Sequence, residues 1–271
     1  RDAKKNISNK SWKILFILES SFIMKIALIT GGGTGIGRAA ALELNKIDFE
    51  VYVIGRREKE LKETSSLKTN KNFDIIPITV DITKGEEVKS LFEKIKKNHS
   101  RIDLLFNNAG MGAPRVPIEE LSENDWRKTV DVNLTGSFLC AQQAIKLMKI
   151  QKPQGGRIIN NGSVSAHSPR PDTIAYTATK HAVNGLTKSI ALDGRNFNIS
   201  CSQLDIGNAD TAIGSRFKTG VPQANGQNMI EPVFEAKDCG KAIAYIASLP
   251  LGTNILNMTI MATNMPFVGR G

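Results

Sequence analysis

Cysteine is scarce. Cys140, Cys201 and Cys239 are the three in a chain of 271 residues, odd in number and widely separated, with no CxxC pair among them. That pattern argues against a disulfide framework and a thiolate zinc site, so no metal is expected, and a reducing cytoplasm fits best. Long apolar runs are lacking as well. The run "ILFIL" after Lys13 resembles a signal-peptide core, but it is short, is followed by Glu19 and has no clear small-residue cleavage site. Nothing approaches the ~20 apolar residues of a membrane-crossing helix, so no membrane partner is expected. Aromatic residues make up only 6% of the chain and do not interleave with the cations as they would on a nucleic-acid surface. The excess of 36 Lys+Arg over 26 Asp+Glu is concentrated at one end, where Arg1, Lys4, Lys5, Lys10, Lys13 and Lys25 face only Asp2 and Glu19. The body is mildly basic, and no nucleic-acid partner is expected.

What the chain does contain is an alternation of apolar strand-like runs with helix-length segments. Strands are expected at 25–30, 50–55, 73–80, 102–107, 157–163, 198–205 and 255–263, with helices at 36–46, 57–66, 84–98, 123–149, 174–194 and 237–248. Strands that are apolar throughout predict a parallel sheet covered on both faces, an α/β doubly wound fold of about seven strands in a single domain. Met24 followed by "KIALITGGG" reads as a natural start, so residues 24–271 are expected to form the catalytic domain and 1–23 an extension outside it; a helix packed on a neighbouring subunit is the alternative.

Ligands of such sheets sit beyond the carboxyl ends of the strands. Strand one ends in "TGGGTGIG" (30–37) and leads directly into a helix, the arrangement in which glycines permit a tight turn and helix N–H groups meet a pyrophosphate. A plain glycine-rich loop is the simpler reading of the motif alone. An ATPase phosphate loop would need Lys and Ser/Thr where Arg38 and Ala39 stand. Strand two ends at Gly55-Arg56-Arg57, where an NAD site would place an acid on the adenosine ribose. The missing acid and the arginines suit a 2′-phosphate, although "RREKELKE" also reads as an ordinary charged helix.

Tyrosine is rare too. Tyr52 and Tyr245 lie in apolar runs and are expected to be core or half-buried, whereas Tyr176 in "YTATK" has Lys180 one helical turn away on the same face. A phenol with pKa about 10 is a poor base at neutral pH. Lowering it by roughly three units takes about 4 kcal/mol of preference for the anion, which a nearby ammonium favours.

Taken together, these residues resemble the short-chain dehydrogenase/reductase family over most of the chain, from Met24 to about Met261. "TGGGTGIG" matches its TGxxxGxG turn, "NNAG" (107–110) its strand-four signature and "YTATK" its YxxxK motif; Ser163 stands thirteen residues before Tyr176, the usual spacing. The resemblance implies a Rossmann fold with Asn133, Ser163, Tyr176 and Lys180 as the catalytic four. Tyr176 would be the acid/base, Ser163 would bond the substrate oxygen, Lys180 would hold the nicotinamide ribose, and Asn133 would hold a water of the proton relay. It also implies cofactor contacts from Gly31, Gly33, Thr34, Gly35, Ile36 and Gly37, from Arg56, Asp81 and Ile82, from Asn108, Ala109 and Gly110, and from Gly207, Ala209 and Thr211, besides Tyr176 and Lys180. NADP(H) is preferred and NAD(H) possible; the substrate is a small carbonyl or alcohol, and the assembly a homotetramer or homodimer. Where the family commonly has Pro-Gly after strand six, this chain has Ile206-Gly207, which puts the rigidity of that turn in doubt. Residues 208–232 occupy the lid position, with weak periodicity that suggests mobility without cofactor. His167 could line the substrate pocket or be a satisfied loop histidine, and His181 is expected to face packing. Arg115 and Arg170 sit in loops the family uses around substrate. A catalytically idle dinucleotide sensor or scaffold is the alternative function, but such a protein has no chemical reason to keep the catalytic four together.

Overall fold

The computed structural model describes residues 24–212 and 214–268, so the expectation for residues 1–23 falls outside the described residues. Seven parallel strands form one sheet: β1 (Lys25–Thr30), β2 (Phe49–Gly55), β3 (Ile75–Thr79), β4 (Leu104–Asn107), β5 (Gly156–Asn161), β6 (Ile199–Ile206) and β7 (Asn257–Ile260). Their order is β7-β6-β5-β4-β1-β2-β3. The chain steps outward from β1 to β3, returns across β1 to β4 and steps outward again, so a crevice opens between the carboxyl ends of β1 and β4.

Both faces are covered because successive strand residues point to opposite sides. From β1, Ile26 and Leu28 join the apolar layer that holds α3 (Gly85–His99), α5 (Gly136–Ile150) and α6 (Ile174–Asp193). Ala27 and Ile29 join the layer of α1 (Gly35–Lys46), α2 (Glu58–Ser66) and α7 (Ala236–Ser248). Arg157 of β5 is only 2% exposed. Its Nη2 donates to the carbonyls of Leu249, Pro250 and Thr253 at 3.1–3.3 Å, tying the sheet to the carboxyl end of α7. No helix among the described residues is long and apolar enough to cross a membrane.

Three local expectations are corrected. The segment 123–149 is not one regular helix: α4 (Glu123–Val130) passes through a wide π-type turn at Asp131–Thr135 before α5 begins. At Gly136, where α5 starts, a β-carbon would stand 2.6 Å from Ile82 Cδ1, so any other residue would require the Ile82 side chain to shift. Tyr245 is 56% exposed, because the core face of α7 is carried by Cys239, Ile243 and Ile246, whereas Tyr52 is buried and its hydroxyl meets His99 Nε2 at 2.7 Å. His181 is exposed, its Nδ1 2.9 Å from the Thr177 carbonyl oxygen.

Helices α1 and α7 cross in contact. A β-carbon on Gly240 would lie 2.6 Å from the carbonyl oxygen of Ala39. Gly240→Ala improves helix propensity by about 1 kcal/mol, yet the forced separation of the helices is expected to outweigh it, leaving a net loss of roughly 1–2 kcal/mol. Thermal unfolding should show a Tm lower by roughly 2–8 °C; an unchanged or higher Tm would mean the crossing is looser than its geometry.

Candidate active site

The turn after β1 needs glycine for two reasons. Gly31 and Gly35 have φ of +64° and +53°, in the left-handed region, and a β-carbon on Gly37 would lie 2.2 Å from the Gly31 carbonyl oxygen. Gly37 therefore serves the packing of α1 on the turn and does not form part of the cleft wall. Thr34 caps α1 with no side-chain capping bond, and no acid stands in the first turn. The first-turn N–H groups and the positive end of the helix are thus left for an anion. The turn is held from behind. Arg38 donates to the Gly33 carbonyl and to Thr64 Oγ1, and pairs with Glu63 at 2.8 Å, so it is committed to the scaffold.

At the end of β2, Gly55, Arg56 and Arg57 line the same cleft. Arg57 pairs with Glu60 at 3.1 Å, whereas Arg56 is exposed and in no ion pair among the described residues. Asp81 follows β3. Burial alone would raise its carboxyl, but bonds from the backbone and hydroxyl of Thr83 at 3.0 and 2.8 Å and the charges of Arg56 and Lys84 outweigh this and lower it.

A cleft of about 410 Å³ gathers nearly all the residues singled out in the sequence. Gly31, Gly33, Thr34, Gly35, Ile36, Arg56, Asp81 and Ile82 lie on its β1–β3 side; Asn108, Ala109, Gly110, Ser163, Tyr176, Lys180, Gly207, Ala209 and Thr211 complete it. Lys180 Nζ donates to the Asn161 carbonyl at 2.7 Å and stands 5.5 Å from the centre of the Tyr176 ring. Ser163 Oγ accepts from the Ser165 amide at 3.1 Å, which leaves its hydroxyl proton free to donate. Asn133 lies behind the wall. Its Oδ1 accepts from the Met111 amide at 2.8 Å, and its Nδ2 donates to the Met111 carbonyl and to Thr179 Oγ1 at 2.9 and 3.1 Å.

Several contacts that build the site gave no sequence signal. Thr30 Oγ1 accepts from the amides of Asn108 and Ala109 at 2.9 and 2.8 Å, locking the β4 loop to the glycine turn. Asp205, fully buried on β6, accepts from the Ser163 amide at 3.0 Å and from Gln203 Nε2 and Asn257 Nδ2 at 2.7 Å. Its other contact is His167, whose Nε2 lies 2.7 Å from Asp205 Oδ2; His167 does not line the cleft. Arg216 lines it beside Arg115 and Arg170.

The turn at Ile206-Gly207 has no proline, and its support comes from a buried carboxylate instead. Glu231 accepts from Arg170 Nη1 at 2.6 Å, from Asn208 Nδ2 at 2.7 Å and from Gln223 Nε2 at 2.8 Å. This ties 206–208 to the segment at 215–231, which carries one short ladder, Val221–Pro222 with Asn228–Met229, and is flanked by another, Ala209–Asp210 with Phe234–Glu235. Burial would raise the Glu231 carboxyl, but those three donors and the charge of Arg170 hold it down to about 2.

The family model of short chain dehydrogenases matches residues 25–221. A 3beta-hydroxysteroid dehydrogenase of Mediterraneibacter gnavus is 34% identical over 195 residues, spanning 72% of this chain and 70% of that one. Among solved structures, acetoin dehydrogenase from Enterobacter cloacae is 26% identical with a TM-score of 0.75, covering 89% of this chain and 95% of its own. A 3-ketoacyl-(acyl-carrier-protein) reductase from Brucella melitensis complexed with NADH has a TM-score of 0.78 at 24% identity over 90% of this chain and 99% of that one, a likeness of fold. This chain belongs to the short-chain dehydrogenase/reductase family. It is an enzyme of the oxidoreductase class.

Removing the Glu231 charge leaves Arg170 buried without its counter-ion. Glu231→Gln is therefore expected to lose about 3–5 kcal/mol at neutral pH. Because the folded-state carboxyl lies below its ordinary 4.5, the wild-type advantage is complete above that value and fades as pH falls toward about 2. Unfolding curves of the two proteins should converge over that window; a gap that persists at pH 2 would place the effect elsewhere.

Proposed function

We propose that this enzyme interconverts a carbonyl and an alcohol by hydride transfer with NADP(H), NAD(H) being the weaker cofactor, and that Tyr176 is its acid/base. The observation that carries the reading is the Tyr176–Lys180 pair standing in one cleft with Ser163 and the glycine turn. The residues present fit a nicotinamide dinucleotide. Gly31 and Gly35 form a cradle at the amino end of α1 that side chains would strain, and Gly55 leaves space beside Arg56 at the β2 end. When bound, the cofactor supplies or accepts the hydride. Tyr176 then gives its hydroxyl proton to the carbonyl oxygen in reduction, or takes it from the alcohol in oxidation. Lys180, positioned by the Asn161 carbonyl, stabilises the charge that develops on the tyrosine oxygen. Ser163 donates its free proton to the same substrate oxygen as charge builds there. Asn133 acts at one remove, fixing Met111 beside the cleft and Thr179 on α6.

The reading includes a homotetramer, supported by the exposed apolar side chains of Phe138 on α5 and Ile174 and Leu192 on α6. It also includes a cytoplasmic location, supported by three free cysteines whose burial pushes each thiol up to about 12.

Tyr176→Phe removes the proton donor with little change in volume. It should retain less than a tenth of wild-type turnover while still binding cofactor, measured by NADPH fluorescence; greater residual activity would remove Tyr176 from the acid/base role.

Arg56 can make a charge-assisted bond to a 2′-phosphate, worth roughly 1.5–3 kcal/mol. kcat/KM for NADPH should therefore exceed that for NADH by about ten- to a hundredfold. Arg56→Ala should remove most of the preference and Gly55→Asp invert it, the new carboxylate bonding a ribose hydroxyl and repelling the phosphate. Equal use of both cofactors by the unmutated enzyme would defeat the NADP assignment.

A further inference from the structure

Three arginines from separate segments meet at the Tyr176 end of the cleft: Arg115 from the loop after β4, Arg170 from the loop before α6, and Arg216 from the turn at Ser215–Lys218. Arg170 is neutralised by Glu231. The other two are in no ion pair within 4 Å among the described residues, and the opposing charges that act on Arg115 are those of the exposed Asp172 and of Glu231, which is already bonded to Arg170. Arg115 Nε and Nη2 and Arg216 Nε are shut off from solvent with no hydrogen-bond acceptor. Buried donors of this kind are rarely left unpaired. The guanidiniums of Arg216 and Arg170 each stand 5.3 Å from the centre of the Phe217 ring. Burial lowers the pKa of Arg115, and the like charges of Arg216 and Arg170 lower it further; burial and Arg170 do the same to Arg216, opposed by Tyr176. The cleft thus presents crowded, partly dehydrated cations beside the acid/base, an arrangement that one anion between them would relieve.

We propose that the substrate carries an oxyanion, a carboxylate or a phosphate, which Arg115 and Arg216 hold while its carbonyl meets Ser163 and Tyr176. This rests on the carbonyl/alcohol reading above. The cofactor's pyrophosphate is a poor rival for these donors, because its cradle lies at the amino end of α1, whereas Arg216 stands within the field of Tyr176 and Arg170, and Arg115 within that of Arg216 and Arg170.

Matched pairs test it on the full chain loaded with NADP: pyruvate against methyl pyruvate, levulinate against methyl levulinate, dihydroxyacetone phosphate against dihydroxyacetone. At least one charged member should raise Tm where its neutral partner does not, and should exceed that partner at least tenfold in kcat/KM with NADPH. The carboxylate and phosphate pairs show which oxyanion is preferred. Arg115→Gln and Arg216→Gln should each shrink that ratio at least threefold, chiefly through KM. The wild-type ratios stand even if a variant fails to fold. Protection by neutral members alone, or by none, overturns the proposal, and turnover of neutral ketones in that case leaves the oxidoreductase reading intact. Protection by an anion without turnover of any compound supports the anion site and sinks the carbonyl reading. A shrunken ratio matched by an equal loss of NADPH affinity would assign the arginines to the cofactor's phosphates and also overturn the proposal.

Discussion

A single line of hydrogen bonds along the carboxyl rim of the sheet fixes the geometry on which the site depends. Thr30 at the end of β1 accepts from the amides of Asn108 and Ala109. Asn108 Nδ2 donates to the Thr30 carbonyl at 2.9 Å, Asn161 Nδ2 to Asn108 Oδ1 at 2.9 Å, and Lys180 Nζ to the Asn161 carbonyl at 2.7 Å. The line runs from the glycine turn through Asn108 and Asn161 to the buried Lys180 on the helix that bears Tyr176. Its members are buried at the two ends, Thr30 and Lys180, and half-buried between them, so a broken bond there is more costly than one in open water. One layer below, Asn107 Nδ2 donates to Asn160 Oδ1, and Asn160 Nδ2 donates to Thr187 Oγ1, each at 2.9 Å, so α6 is moored to the sheet twice.

The Ser163 and Arg170 side of the cleft is organised differently, around two buried carboxylates. Asp205 gathers the Ser163 amide, Gln203, Asn257 and His167, and thereby sets where β5 ends and the serine begins. Glu231 gathers Arg170, Asn208 and Gln223 and joins the exit of β6 to the segment that follows it. Neither carboxylate faces the cleft. Each replaces with side-chain bonds the rigidity that regular backbone pairing gives the rest of the sheet.

Much of this was legible in the sequence where chemistry and local spacing coincide. The glycine turn, the Tyr176–Lys180 pair and the apolar strands announce themselves because the constraint acts within a few residues: a positive φ, one helical turn, a two-sided strand. Gly55 and Arg56 are of the same kind, visible as a missing acid. Asp205, Glu231 and Arg216 are not, and Thr30 shows only as the first residue of the glycine motif and not by what it holds, since their partners are brought together only by the sheet order; Thr30 and Asn108 are 78 positions apart, and Arg170 and Glu231 are 61 apart. Nor could composition separate an exposed arginine from one aimed into the cleft beside Tyr176. Tyr245 misled for a related reason: its neighbours are apolar, but a helix shows only one face to the core.

The wide turn at Asp131–Thr135 has a consequence for how this protein can vary. One extra residue in a helical ladder rotates everything beyond it by about 100°. Upstream, α4 turns Thr129 inward; downstream, α5 turns Cys140, Ala141 and Ala144 toward the sheet. The phase slip is what lets both faces dock, and it also swings Asn133 round to Met111. Deletion of a single residue here would close the wide turn into a regular one and leave α5 in the same phase against the core, whereas the same deletion in the first turn of α5, with the wide turn kept, would bring polar positions such as Gln142 toward it. The stretch can therefore lose a residue without turning a helix face, the reverse of what holds inside the helices it joins.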